Sequence, residues 1–421
     1  MQATALDKKQ KTLFRNTNFM LLFLGGLVSR IGNGIHYIGL VWYILELKGS
    51  GFAVGMVLML STLPGVILGP FSGVLVDRYN RKKIIVWMDI VRGLITLLMG
   101  LMVLSQAMNY TYLILGTVLL GVCGTLFNPA VSASIPNIVE DQHLTKANSF
   151  EHMSMNLTGV IGPAFGGILL AIYGVAGVFI INGLSFLLSA FSEAFIKFPP
   201  RKIAQNGGKA DLLREMKEGA IFIYHNKALF HLMFACLFAN FLYSGTFVVG
   251  MPLIAKKFLD ASAQEFGMMQ AAWPVGAALG GLLISVLSEF KKIFKVFTIS
   301  LSIQTIFFFM IGIVALPLLI SQLGITRAMI LIIGLLVLGG VCNAFVNIPI
   351  LVVFQRMIPD DKRGRIFALT GTISQGLVPI SIGLAGLISE IIIPAYLFIF
   401  GGIGMVFIMF NLVQKKEARA V

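Results

Sequence analysis

Charged residues are scarce in this sequence. Asp, Glu, Lys and Arg make up 12% of the 421 residues, whereas 57% are hydrophobic and the mean hydropathy is +0.91. That charge fraction is about half the share found in soluble domains. Cysteine is also rare: Cys123, Cys236 and Cys342 are far apart and lie in apolar runs, which excludes a disulfide framework and metal-ligand spacing. We interpret the three as small packing residues.

Motifs of ATP hydrolysis and of hydrolytic catalysis are missing from the sequence. It has no Gly-rich loop ending in Lys-Ser/Thr, no HExxH and no GxSxG. We therefore expect neither an enzyme nor an ATP-driven pump, and no metal or cofactor.

Apolar runs recur from end to end, and about 20 apolar residues are needed to cross the hydrocarbon core of a bilayer. The sequence therefore predicts a polytopic membrane protein of twelve spans. The predicted spans are 19–45, 52–76, 84–105, 110–134, 149–173, 175–197, 228–254, 265–288, 293–316, 327–350, 366–389 and 392–413.

The net charge of +14 has a topological explanation. With the N-terminus inside, most Lys and Arg fall on the cytoplasmic side, while Lys48, Lys256, Lys257 and Arg327 fall outside. This asymmetry is the positive-inside bias of membrane proteins. We therefore expect no nucleic-acid partner, and a cell-membrane protein with both termini in the cytoplasm.

One long polar interval, Lys197–Asn226, divides the chain into halves of six spans. Its segment Asp211–Tyr224 has helical spacing and a polar face, which predicts an amphipathic helix on the inner surface. The halves resemble each other, since Asn128-Pro-Ala aligns with Asn347-Ile-Pro. We expect an all-α membrane protein of 12 transmembrane helices in two pseudo-symmetric six-helix bundles. The predicted parts are a first bundle at 1–198, a cytoplasmic linker at 199–226 and a second bundle at 227–421.

The segment Gly73–Lys83 between the second and third spans carries one carboxylate and four cations. Gly73 lies four positions before Asp77, and Arg81 lies four positions after it. A loop that only marks the inner membrane face needs the cations alone. The spacing resembles the signature between the second and third helices of major facilitator superfamily transporters, which have two six-helix bundles around a central path.

The resemblance implies a conformational latch in this loop. Gly73 would let the second helix approach a neighbour closely. Asp77 would face the N-terminus of the eleventh helix near Arg363–Ile366, where free N–H groups attract an anion. The alternative is a solvated basic loop that only sets topology. The latch residues are Gly73, Asp77, Arg78, Arg81 and Lys82.

Two further features of the latch are the acidic partner of Arg81 and the residue at position 80. Arg81 would extend the cluster toward an acid, with Glu140, Asp141 and Glu193 as the possible partners. Asn80 stands where the family has Gly, and Asn accepts the left-handed turn that this position would need.

A second motif, Gly159-Val-Ile-Gly162-Pro163-Ala-Phe-Gly166-Gly167, lies in the fifth span. It resembles the antiporter motif of drug-exporting members, with Thr158 at the leading glycine position. Pro163 removes a helix hydrogen bond, and the glycines permit close helix contact. The resemblance implies a seal against proton leak that favours export. The alternative is an ordinary kinked helix packed through small residues.

Two loops narrow the resemblance to one branch of the superfamily. Ile135–Ser149 and Met357–Ile366 look like the 4–5 and 10–11 loops of the branch that holds macrolide-efflux proteins and the enterobactin exporter. Val28–Gly34 in the first span also fits this branch, with Asn33 where Asp is expected. Because the Asn side chain does not ionise, this replacement removes one possible proton site.

Ionisable groups within spans are functional candidates because burying them in a bilayer is costly. Arg30 lies near the middle of the first span and is either a pathway residue or a structural cation. Asp89 and Arg92 share one helix face at i, i+3 and are expected to form a structural pair. Glu151 is the best candidate proton carrier, because a partly buried carboxyl can hold a proton near neutral pH. The candidates for the substrate or proton pathway are Arg30, Asn33, His36, Asp89, Arg92 and Glu151.

The second half has amides, Phe and Met where it crosses the membrane, which suits lipophilic substrates. We expect a bacterial secondary active transporter that exports lipophilic or amphipathic small molecules, such as macrolides, by alternating access. The proton gradient would supply the energy, H+ would be the coupled ion and the protein would act as a monomer in the lipid bilayer. A siderophore exporter or a lysophospholipid flippase of the same superfamily is the alternative, and a non-transporting receptor or scaffold is a third.

Overall fold

The computed structural model describes residues 13–198, 218, 220–287, 293–358, 366 and 375–415, apart from the side chains at 70, 74, 77, 355 and 356. Within these ranges the chain is almost entirely helical and contains no strand. The helices are α1 (Thr17–Lys48), α2 (Gly51–Arg78), α3 (Arg81–Leu104), α4 (Tyr110–Ile138), α5 (Leu144–Ala194), α6 (Lys227–Phe258), α7 (Ala263–Val286), α8 (Ile293–Val314), α9 (Pro317–Leu323), α10 (Ile325–Met357), α11 (Val378–Ile388) and α12 (Pro394–Gln414). The predicted all-α class is confirmed.

Helix α5 contains two membrane spans. It has 51 residues, far more than the about 20 that cross a bilayer. The helix is interrupted at Gly174, whose φ of 65° and ψ of −175° lie in a region that only glycine adopts readily. The interruption falls between the predicted spans 149–173 and 175–197, so the chain reverses where the sequence indicated.

Ten helices in the described residues are long and apolar enough to cross a membrane, with α5 counted once. The eleventh predicted span, 366–389, is described mainly in its second part as α11. The seven-residue α9 belongs to the connection before α10. This arrangement agrees with the predicted twelve spans.

Polar caps set the starts of several helices. The Asn109 side chain accepts a hydrogen bond from the backbone N–H of Tyr112 at 2.9 Å and begins α4. Ser262 and Glu265 form a reciprocal capping box that begins α7. These side chains satisfy N–H groups that a first helical turn leaves free.

The helices pack into two compact units. Unit 1 comprises Met1–Gly39 and Leu63–Ala204, and unit 2 comprises Leu40–Thr62 and Gln205–Val421. In unit 1, α3 packs against α4 and α5. In unit 2, α10 packs against α7 and α8, while α12 packs against α6 and α8. The predicted linker 199–226 lies mostly outside the described residues, and the predicted domain limits stay a prediction.

Unit 2 includes a close contact between the start of α2 and the end of α11. A Cβ atom added to Gly55 would lie 2.9 Å from the Cα atom of Gly386, so the two backbones touch. Beyond α11, the Glu390 carboxylate accepts hydrogen bonds from the Ser50 hydroxyl at 2.8 Å and the Phe52 N–H at 3.0 Å. The turn before α2 is thereby tied to the turn after α11.

Candidate functional site

A buried ion network occupies the interior of unit 1. Its first part joins α1 to the first half of α5, where the Arg30 guanidinium forms an ion pair with the Glu151 carboxylate. Arg30 also donates to the Ser154 hydroxyl at 2.7 Å. The Arg30 side chain is 20% exposed and that of Glu151 is 8% exposed. Two predicted pathway residues that are 121 positions apart are therefore in direct contact.

The second part of the network lies on α3. Arg92 donates to Oδ1 of Asp89 at 2.9 Å, and the two side chains are 10% and 0% exposed. The Arg92 guanidinium also lies over the rings of Phe127 at 4.8 Å and Phe186 at 4.2 Å. Aromatic faces attract a cation, so α4 and α5 help to hold the pair that the i, i+3 spacing allows.

The third part is Glu193, near the end of α5. Its side chain is buried, and Oε1 accepts a hydrogen bond from the Ser189 hydroxyl at 3.3 Å. The charges of Asp89 and of both network arginines act on it. The sequence suggested Glu193 only as a possible partner of Arg81. The sequence alone could have identified Glu193 as a functional candidate, because it is an ionisable residue inside the predicted span 175–197.

His36 and Asn33 lie on α1 beside the network. Both ring nitrogens of the buried His36 lack a hydrogen bond among the described residues, and its ring centroid lies 4.6 Å from that of Phe179. His36 therefore packs as an apolar ring would. Asn33 is half-buried. The pathway roles of His36 and Asn33 stay predictions.

The glycine-rich motif of α5 packs directly on α1. A Cβ atom at Gly162 would lie 2.7 Å from the Cα atom of Gly34, and one at Gly166 would lie 3.1 Å from the Cα atom of Ile35. Since Arg30 precedes Gly34 by about one helical turn, this contact keeps the Arg30 side chain close to α5. In the rest of the motif, Gly167 is buried and Gly159 and Pro163 are half-buried. The proton seal stays a prediction.

The loop between α2 and α3 is short, and Asn80 ends it. The Asn80 side chain accepts a hydrogen bond from the Lys83 N–H at 3.3 Å, and its φ of −67° and ψ of 112° are extended. The left-handed turn predicted for Asn80 is therefore wrong. Asn replaces the family's Gly here as the N-cap of α3, a position that Asn favours.

The cations of the predicted latch have different surroundings. Arg78 is exposed and Lys82 is half-buried. Arg81 donates to the backbone carbonyl of Ala133 in α4. Among the described residues, nothing lies within 4 Å of a Cβ atom added to Gly73. The close helix approach predicted at Gly73 is thus not present in the described part of the chain.

The rest of the latch prediction concerns Asp77 and its partner. The Asp77 side chain is outside the described part, as is the expected partner segment 363–366 except for Ile366. The other acids suggested for Arg81, Glu140 and Asp141, are exposed. The Glu140 carboxylate accepts a hydrogen bond from Gln142 at 2.8 Å. The latch stays a prediction.

Comparison with known families decides the membership of the chain. The family model described as Major Facilitator Superfamily matches residues 22–383. The chain belongs to the Major Facilitator Superfamily. The resemblance carried by the 2–3 loop and the glycine-rich motif is confirmed, and the protein is a multi-pass membrane transporter.

This major facilitator protein is similar to two efflux proteins over most of its length. Macrolide efflux protein A of Streptococcus pyogenes is 26% identical over 411 residues, which are 95% of this chain and 98% of that protein. Multidrug efflux pump Tap of Mycolicibacterium fortuitum is 24% identical over 383 residues, which are 88% of this chain and 89% of that protein.

A solved structure shows the same fold. The crystal structure of a bacterial homologue of the iron transporter ferroportin matches with a TM-score of 0.73 and 17% identity, covering 95% of this chain and 99% of that chain. The predicted major facilitator fold is confirmed.

Proposed function

We propose that this transporter exports lipophilic or amphipathic small molecules of the macrolide type in exchange for protons. The observation that carries the exchange mechanism is the buried ion network of unit 1. Charged side chains inside membrane bundles are costly, and they mark substrate pathways and proton relays. The network holds carboxyls that can bind and release a proton, next to arginines that remain charged.

Two observations support the substrate class. The first is the similarity to Macrolide efflux protein A over 95% of the chain. The second is that the buried polar side chains of unit 2 carry no charge among the described residues, which suits large lipophilic molecules and permissive selection. The buried polar side chains described there are Thr246, Gln270, Gln304, Thr305 and Ser381.

The orientation of the protein in the membrane follows from the distribution of its charged residues. Since Lys and Arg concentrate in the connections on one side, we place both termini in the cytoplasm of a bacterial cell. The protein works as a monomer in the cell membrane. The proton gradient supplies the energy for export, and no cofactor takes part.

Transport by purified protein in proteoliposomes tests the proposal. Labelled erythromycin is offered on the side that corresponds to the cytoplasm, and a proton gradient is imposed across the membrane. We expect accumulation that requires the gradient and disappears with a protonophore or in protein-free liposomes. If the gradient moves neither erythromycin nor any member of a panel of lipophilic drugs and siderophores, the proposal is wrong.

An apolar groove of unit 2 favours lysophospholipid transport as a second candidate. The groove lies between α6 and α12, has a volume of about 340 Å³ and includes Phe230, Phe234, Phe407 and Lys415 in its lining. An acyl chain fits such a surface, and a lysine attracts a phosphate. Protein-dependent movement of a fluorescent lysophospholipid between leaflets, with no macrolide transport, would select this function.

A further inference from the structure

One carboxyl of the ion network has no guanidinium of its own. Arg30 is bonded to Glu151, and Arg92 is bonded to Asp89. In the described part of the chain, the one hydrogen-bond partner of Glu193 is the Ser189 hydroxyl at 3.3 Å. Among the described residues, Oε2 of Glu193 makes no hydrogen bond, and neither does Oδ2 of Asp89.

The charges of the network do not balance when every group is ionised. The carboxyls of Glu151, Asp89 and Glu193 face two guanidinium groups, which stay protonated in proteins. The excess negative charge would be buried, and an uncompensated buried charge is strongly unfavourable. The network is therefore neutral only when one carboxyl binds a proton.

Glu193 is the carboxyl best placed to hold this proton. Glu193 is 1% exposed and Asp89 is 0% exposed, and the Ser189 hydroxyl lies beside both carboxyls. Two buried carboxylates that repel each other do not both ionise readily, and they titrate as a pair. Asp89 has a direct ion pair that favours its charged form, whereas Glu193 forms no ion pair with any described residue.

Among the described residues, the groups that act on the network come from four helices. Arg30 acts from α1, and Asp89 and Arg92 act from α3. From α4, Cys123 acts on Arg92. On α5 itself, Ser189 donates to Glu193. Glu151 is linked to this group through Arg30.

We propose that Glu193 binds the proton that this transporter exchanges for substrate, with Asp89 as the second member of a carboxyl pair. This inference rests on the proposed proton-coupled export and names its proton site. Release of the proton leaves an excess negative charge that attracts Arg30. That attraction competes with the Arg30–Glu151 pair and weakens a bond between α1 and the first half of α5.

Infrared difference spectra test the proton site without any substrate. We expect the purified wild type to lose a protonated-carboxyl band as the pH is raised, and Glu193→Gln to lack that band. Glu46→Gln, which alters an exposed carboxyl on α1, is the matched control and keeps the band. A band that persists unchanged in Glu193→Gln overturns the inference.

Transport measurements test the role of that proton. In proteoliposomes with labelled erythromycin, Glu193→Gln is expected to lose gradient-driven accumulation by at least about tenfold. It should retain exchange of labelled for unlabelled erythromycin across the membrane, because the neutral amide mimics the protonated carboxyl. Glu193→Asp keeps a titratable group and should retain part of the accumulation, and Glu46→Gln should retain all of it.

The outcomes separate the two proposals. If the wild type accumulates erythromycin and Glu193→Gln does so equally well, the proton site is wrong and proton-coupled export stands. If the wild type accumulates nothing, the proposed function fails, and the infrared band alone decides whether Glu193 holds the proton. Should Glu193→Gln not fold, a carboxyl band of Glu193→Asp that titrates at the wild-type pH would overturn the assignment.

Discussion

Arg92 depends on a small set of neighbours for its place in the membrane. The Asp89 carboxylate neutralises its charge, and the rings of Phe127 and Phe186 cover its guanidinium. Removing either charge of such a pair leaves the other buried and uncompensated. The energetic importance of Arg92 and Asp89 is therefore tested best by changing them singly and together.

Arg92→Gln is expected to lower the free energy of unfolding by about 3–5 kcal/mol near neutral pH, because it strands the Asp89 carboxylate. The loss should shrink at low pH, where Asp89 takes up a proton. Unfolding of the detergent-solubilised protein, followed by circular dichroism, provides the measurement. In the double variant Asp89→Asn/Arg92→Gln the cost should be well below the sum of the single costs, and simple additivity would contradict the pairing.

At the scale of the helices, two glycines in α5 serve different physical needs. Gly162 provides space, because its missing side chain lets α5 touch α1 at Gly34. Gly174 provides backbone freedom, because nothing lies within 4 Å of a Cβ atom added there while its φ is +65°. Substitution by alanine distinguishes the two needs.

Gly162→Ala is expected to cost about 1–3 kcal/mol, since the new methyl group would lie 2.7 Å from the Gly34 Cα atom and push the helices apart. Thermal unfolding in detergent and erythromycin transport are the readouts. Gly124→Ala in α4, where nothing lies within 4 Å of an added Cβ atom, is the matched control. Equal stability of the two variants would mean that the α1–α5 contact is looser than described.

Gly174→Ala is expected to cost about 1–3 kcal/mol through backbone strain alone, because its φ and ψ lie in a region almost exclusive to glycine. Gly334→Ala in α10 is the control, since its added Cβ atom also meets nothing within 4 Å but its backbone is helical. That control should be neutral or stabilising, because alanine favours a helix over glycine. An unchanged unfolding temperature for Gly174→Ala would rule out the left-handed break.

At the scale of the whole molecule, α1 contributes to both compact units. Its residues up to Gly39 pack within unit 1, whereas Leu40–Thr62, which include its end and the start of α2, pack within unit 2. Hydrogen bonds from Ser50 and Phe52 to Glu390 hold this segment to residues about 340 positions away. The Phe52 N–H and the Ser50 hydroxyl lower the pKa of Glu390 below its ordinary value of 4.5.

Glu390→Gln is expected to destabilise unit 2 by about 0.3–1 kcal/mol at neutral pH, because an exposed carboxylate at a helix N-terminus contributes this much. The pKa of Glu390 is lowered in the folded protein, so its contribution is complete above about 4.5 and disappears as the pH falls through the lowered folded value. Unfolding temperatures of wild type and variant across this pH range provide the test. A difference that persists at the acid end would show that the carboxylate charge is not the cause.

The sequence by itself determined the twelve spans, the break at Gly174 and the superfamily. A membrane span is identified by its length and apolar composition, which are local properties of the sequence. The motif in the loop Gly73–Lys83 is likewise defined by residues close together in the sequence. The i, i+3 spacing was also enough to predict the Asp89–Arg92 ion pair, because both residues lie on one helix face. Only the tertiary structure decided that Arg30 meets Glu151 and that Glu193 joins Asp89. The physical reason is that the partner of a buried charge is chosen by helix packing, which joins residues more than a hundred positions apart.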